Sequence, residues 1–169
     1  NAVSNAVTLD AGSASHIDGG YTAGGDASGN TVTISGGSAA ELHGGHTESG
    51  GATGNTVTIS GGTVTGTAAG GYTASGNAVS NAVTLDAGSA SHIDGGYTAS
   101  GDASGNTVTL SGGSATDLHG GHTESGNATG NTVTISGGTV TGTAAGGYTA
   151  SGNAVSNTVN LTGSPVLTN

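Results

Sequence analysis

The chain contains no Lys and no Arg among its 169 residues, and ten carboxylates leave it with a formal charge of −10. Nothing in it can neutralise phosphate, which argues against nucleic acid as a partner. An anionic membrane surface is disfavoured for the same reason. Cys is also absent, which removes disulfides and leaves the redox compartment open. There is no Trp, Phe or Met, and Tyr occurs four times. A thick interior of large side chains is therefore out of reach. No stretch is apolar enough to span a bilayer as a helix. Pro occurs once, at Pro165.

Glycine dominates what is present, with 37 residues. Low hydrophobicity with excess Gly and Ser usually means disorder, but here Val, Ile and Leu recur at regular intervals. Residues 1–76 and 77–152 are the same text apart from Gly24/Ser100, Ile34/Leu110, Ala40/Thr116, Glu41/Asp117 and Gly51/Asn127. Within each copy a shorter unit begins at an Asn: Asn5, Asn30, Asn55, Asn81, Asn106, Asn131 and Asn157, in steps of 25 or 26 residues. A fixed period in this range means a stack of like supersecondary units.

The unit 30–54 shows what is stacked. Thr31-Val32-Thr33-Ile34 alternates with period two and is rich in β-branched residues, which predicts a strand with Val32 and Ile34 inward. Gly36-Gly37 breaks it. A second short strand, 38–43, is expected to turn Ala39 and Leu42 inward, and Gly44-Gly45 to form a second corner. The third side, 46–54, has Ala52 as its best inward residue. Three short sides per coil of about 25 residues predict an all-β fold, a single-stranded parallel β-solenoid (β-helix). The usual hand of parallel crossovers makes it right-handed. Rungs ~4.8 Å apart would give a rod of roughly 30–35 Å. The array is expected over residues 1–163, as two 76-residue copies of three coils each plus a partial seventh coil. Residues 164–169 are expected to leave it at Pro165, which cannot donate to a ladder. Asn1–Ser4 copies Asn77–Ser80, so the segment reads as cut from a longer array.

Stacking places equal positions in files. The Asn file is expected to be buried or half-buried and to bond along the axis. Tyr21, His46, Tyr72, Tyr97, His122 and Tyr148 form a file of rings. His16 falls over Glu41 and Asp18 over His43, and likewise His92 over Asp117 and Asp94 over His119, so unlike groups meet. Segments 63–69 and 139–145 carry one extra residue, and this side should be the least regular.

The segments GNTVTISGGTVTGTAAGGYTASGNAVSN at 54–81 and 130–157 resemble the passenger repeats of bacterial autotransporter adhesins. The resemblance implies a β-solenoid stalk, secreted through an outer-membrane barrel and displayed on the cell. A departure is Thr67-Ala68-Ala69, where such repeats often carry a bulkier aliphatic-aromatic pair.

Candidate sites are few. His43 and His46, with Glu41, and His119 and His122, with Asp117, could offer metal ligands. Each His pair flanks an expected corner that would splay the rings, so no metal is expected and no cofactor is implied. Asp18, Asp26, Asp94 and Asp102 lie near Gly-rich corners but do not keep the fixed frame of calcium-binding nonapeptide repeats. No Ser sits in a nucleophile elbow. Candidate acids recur at 76 residues instead of forming one unique patch, so no enzyme is expected. Thr31, Thr33, Thr56, Thr58, Thr107, Thr109, Thr132 and Thr134 would form two outward files on a ~4.8 Å by ~6.8 Å grid, an array resembling the faces of solenoid antifreeze proteins. Ala6, Ala82 and Asn160 interrupt it, and outward Thr is also what a solvated parallel strand prefers. The sequence therefore reads as an extracellular stalk or filament segment of a bacterial surface adhesin. It is expected to stack end to end or continue into further repeats. An ice-binding face is the alternative.

Overall fold

The computed structural model describes residues 1–168. Among them there is no helix, and the strands form three parallel sheets, each running the length of the stack. The chain is a β-solenoid of about seven turns, each about 25 residues long. One sheet is built from four-residue strands such as Thr31–Ile34, Thr56–Ile59 and Ala82–Leu85. A second is built from long strands such as Ser38–Thr47 and Ser89–Thr98. The third has two-residue strands such as Ala27–Ser28 and Ala52–Thr53. Each coil pairs with the next in register: Val32 sits on Val57, Val57 on Val83, and Val83 on Val108.

Alternation dictates the core. In Thr31–Ile34, Val32 and Ile34 are fully buried while both Thr stay partly exposed. Leu42 and Ala39 close the space from the long sheet and Ala52 from the short one, all buried. The interior is thin, so backbone pairing between rungs carries much of what a thicker core would supply.

Two polar files run through this interior. Asn30, Asn55, Asn81, Asn106 and Asn131 are fully buried; Asn157 is half-buried and Asn5, in the end coil, is exposed. Each buried Asn donates its backbone N–H and its Nδ2–H to Oδ1 of the next Asn, at 2.8–3.0 Å. The same Nδ2 donates to a carbonyl of the short sheet, Asn55 to Ala27 and Asn81 to Ala52. These amides therefore meet the requirement that buried polar groups be paired. The second file is Thr47, Thr73, Thr98 and Thr123, also fully buried. Thr98 Oγ1 donates to the Gly76 carbonyl at 2.7 Å and accepts the Gly101 N–H at 2.9 Å. This file was not anticipated, although a Thr follows every ring of the ring file.

Two expectations need correction. The Gly44-Gly45 pair is no corner between sides: the strand runs unbroken from Ser38 to Thr47, and the third side shrinks to Ala52–Thr53. Neither glycine has positive φ. Both instead lie at close approaches, where a side chain would strike the Gly70 carbonyl from Gly44 or the Asn55 amide from Gly45. The second correction concerns the end of the chain. Val166–Leu167 does not leave the array but pairs parallel with Thr139–Val140, and the Val166 N–H reaches the Gly138 carbonyl at 2.9 Å. Pro165 sits just before that strand, where a missing donor costs no ladder bond. The extra residue of 63–69 is absorbed between Val64 and Ala68, against Ala39 and Leu42 of the rung before, so the irregularity falls on the side expected to be the least regular, within the long sheet.

Candidate functional site

The long strand turns Ala39 and Leu42 inward with two partly exposed residues between them, and His43 then points out. Gly44 and Gly45 then both face the interior, and His46 faces out again. Two successive inward residues bend the strand so that its outer surface becomes concave. His43 and His46 therefore converge across the bend instead of splaying, with ring centroids 5.0 Å apart. His119 and His122 do the same, also at 5.0 Å.

The rung before each pair supplies the rest of the cluster. Asp18 is registered on His43, and Asp94 on His119. His16 Nε2 lies 2.9 Å and His43 Nδ1 3.0 Å from Asp18 Oδ1, and His46 Nδ1 lies 3.3 Å from Oδ2. In the second copy His92 Nε2 is 3.3 Å and His119 Nδ1 3.1 Å from Asp94 Oδ1, and His122 Nδ1 is 3.2 Å from Oδ2. Three imidazoles and one carboxylate thus meet at each site, with ligand atoms within 4.8 Å of one another. Asp94 is fully buried, and His43 and His119 nearly so.

A buried carboxylate with three N–H donors is held as the anion. Burial pushes the Asp94 carboxyl up, but hydrogen bonds from His119, His122 and His92 outweigh it and hold it well below the usual carboxylate range. Asp18 behaves likewise, burial being overcome by His43 and His46. Burial pushes His43 down, partly offset by Asp18. His92 is pushed up by its hydrogen bond to Asp94, against its own burial.

A second tier of acids stands behind the rings. His46 Nε2 is 3.5 Å from Glu48 Oε1, His122 Nε2 is 3.3 Å from Glu124 Oε1, and His92 Nδ1 is 3.8 Å from Asp117 Oδ2. The His122–Glu124 approach lacks hydrogen-bond geometry, so His122 Nε2 is buried without a hydrogen-bond partner among the described residues.

Of the six metal candidates read from the sequence, four lie in the two clusters and two do not. His43, His46, His119 and His122 come together, but Glu41 and Asp117 do not join the inner clusters. Glu41 Oε2 accepts the Thr67 N–H at 3.3 Å, and Asp117 Oδ1 the Thr143 N–H at 2.7 Å. Each acid thus satisfies backbone left open by the extra residue of the following coil. His16 and Asp18, and likewise His92 and Asp94, are members of these clusters that the sequence reading does not assign. The signal was available in the noted register of Asp18 over His43 and Asp94 over His119, but the Gly-Gly bend was read with the opposite curvature. Asp26 and Asp102 lie at the far corner, where they accept the Gly51 and Asn127 N–H groups, apart from Asp18 and Asp94.

The ring file is continuous. Centroids are 5.0 Å apart for Tyr21 and His46, 4.8 Å for His46 and Tyr72, 4.9 Å for Tyr72 and Tyr97, 4.9 Å for Tyr97 and His122, and 4.8 Å for His122 and Tyr148. Tyr72 and Tyr97 stack at 15°. Thr33, Thr58, Thr109 and Thr134 share one file with Thr8 and Thr84, while Thr31, Thr56, Thr107 and Thr132 share another with Ala6 and Ala82. No protein-family model, curated protein or solved structure matches the chain.

Proposed function

We propose that the chain is a structural segment of a bacterial surface adhesin, an extracellular stalk that supplies reach and stiffness. The observation that carries this reading is the unbroken Asn file, in which each rung bonds to the next at the same position. Stability in such a stack is a sum of nearest-neighbour terms, so length can change by whole units without a new fold. The two near-identical 76-residue copies are that kind of increment. The passenger-repeat resemblance of 54–81 and 130–157 supplies the cell-surface setting. Val159 and Leu161 are exposed in the last coil, whereas Val133 and Ile135, one rung earlier, are fully buried. A further rung, from the same chain or a second copy, would cover them.

Duplicating residues 77–152 tests the reading. The rod should lengthen by three rungs, roughly 14 Å, in negative-stain images, with unchanged width. Light scattering against concentration follows the stacking: filaments support self-association, and rods that stay single at high concentration oppose it. In the intact parent, deletion of one copy should shorten the reach of the displayed protein and leave its export unchanged. A parent confined to the cell interior would overturn the adhesin reading.

The second reading, ice binding, rests on the Thr8, Thr33, Thr58, Thr84, Thr109 and Thr134 file, six rungs long on an outward sheet face. Thermal hysteresis in a freezing assay, lost in Thr58→Lys, would establish it. Absence of hysteresis removes it.

A further inference from the structure

We propose that each imidazole–carboxylate cluster binds one zinc ion, which clamps two successive coils together. Asp18 and His16 belong to one rung and His43 and His46 to the next, and the second site repeats this with His92, Asp94, His119 and His122. An ion held by all four would cross-link neighbouring turns at two places in the rod. The proposal stands whether or not the rod is an adhesin stalk.

The ligand set selects the class of ion. Three nitrogens and one carboxylate oxygen suit zinc and its borderline neighbours, and zinc in a closed site takes four ligands. Calcium and magnesium take mainly oxygen and need more of it. Bonds of about 2.0–2.2 Å place the ligand atoms of a tetrahedral zinc roughly 3.3–3.5 Å apart. The Asp-to-His separations of 2.9–3.3 Å lie at or just below that spacing. All ligand atoms lie within 4.8 Å of one another, so the most distant pair would have to close by no more than roughly 1.5 Å.

The acids behind the rings are the second, independent observation. A metal-bound His commonly donates its remote N–H to a carboxylate, which fixes its tautomer and raises its basicity. Glu124 stands 3.3 Å from His122 Nε2, Glu48 3.5 Å from His46 Nε2, and Asp117 3.8 Å from the remote nitrogen of His92. In the metal-free arrangement the ring nitrogens facing the aspartate carry the protons, because an ionised carboxylate only accepts. This leaves the buried His122 Nε2 with no donor to pair with. With zinc bound, those facing nitrogens offer lone pairs to the ion. The protons sit instead on the remote nitrogens, which in His46, His122 and His92 face the outer acids. One rearrangement thus places a proton on the nitrogen that the metal-free cluster leaves without a partner, 3.3 Å from Glu124 Oε1, where a rotation of that half-exposed carboxylate completes the hydrogen bond. No Lys or Arg opposes a cation anywhere in the chain.

The test is zinc titration of the metal-free segment by calorimetry, with cobalt(II) as a spectroscopic probe. Two zinc ions per chain are expected, with the intense visible bands of four-coordinate cobalt and a rise in Tm that chelation reverses. His92→Ala, which removes a ring only partly buried, should lower the stoichiometry to one and halve the cobalt bands. Asp94→Asn should do the same, and the first-copy site serves as the internal control. Glu124→Gln should keep the stoichiometry at two and weaken one site by about 10-fold or more. No uptake, or uptake unchanged by His92→Ala and Asp94→Asn, would overturn the proposal and leave the clusters as hydrogen-bonded hubs. Six-coordinate cobalt spectra would overturn it equally.

Discussion

Asn81 Oδ1 accepts two hydrogen bonds from Asn55, one from its backbone N–H at 2.9 Å and one from its Nδ2–H at 3.0 Å. The Asn81 amide nitrogen in turn donates to the Ala52 carbonyl and to Asn106 Oδ1. Asn81→Ala would leave several fully buried groups without partners. At about 1–3 kcal/mol each, the loss should reach about 3 kcal/mol or more, read from the shift of a denaturant midpoint. Asn5→Ala, in an exposed end position, should cost under about 1 kcal/mol. Equal costs at the two positions would contradict the ladder account.

A Cβ at Gly121 would fall 2.5 Å from the Asn131 side chain, which its own ladder bonds pin in place. Gly121→Ala should therefore cost about 2–3 kcal/mol as overpacking. Gly24→Ala, with open space around it, should be close to neutral. The comparison separates crowding from a general loss of glycine flexibility.

Ser80 has φ 55°, at the position where neighbouring repeats place Gly54 and Gly105 with φ 64° and 63°. A left-handed conformation costs a side chain roughly 1–2 kcal/mol, and glycine gives back part of that in unfolded-state entropy. Ser80→Gly should stabilise the rod by up to about 1 kcal/mol. Thermal unfolding would show a higher Tm, and a lower one would refute the strain assignment.

Acid should unfold the metal-free protein through its buried aspartates. Asp94 has its folded pKa depressed, so its stabilisation is present above its ordinary value of 3.8 and is lost as pH falls below it. His43, pushed down by burial, acts the same way from a higher start: its contribution is present above 6.5 and is lost as pH falls. His92, raised by Asp94, opposes it: its contribution is full below 6.5 and is lost as pH rises above its folded value. The steep loss should therefore begin below about 3.8. In Tm measured across pH, the advantage of the parent chain over Asp94→Asn should hold above that point and shrink below it. At the alkaline end Tyr72 is pushed up by burial, then by Glu48 and Glu41. Its contribution is full below 10.0 and is lost as pH rises through the folded value.

Much of this was legible in the text of the chain. The Asn spacing set the coil length, and period-two alternation placed Val32 and Ile34 inward, because a pleat has only two faces. The buried Thr47 file was legible too, in the Thr that follows every ring. The role of Gly44-Gly45 was not. A glycine pair reads as a turn, whereas here it marks a strand squeezed against the Gly70 carbonyl and the Asn55 amide. Local text does not record such crowding, since the crowding groups lie about 10 or 25 residues away.

Sequence alone determined the period, the three-sided winding and the registered files of equal side chains, because each follows from repetition and from local backbone geometry. The tertiary structure decided the curvature at the glycine pair, and with it the meeting of His43, His46, His16 and Asp18 around one point. It also decided that Glu41 is occupied by the Thr67 N–H rather than by that cluster. Register tells which residues are stacked, but only the bend of the sheet in space decides whether outward side chains converge or part.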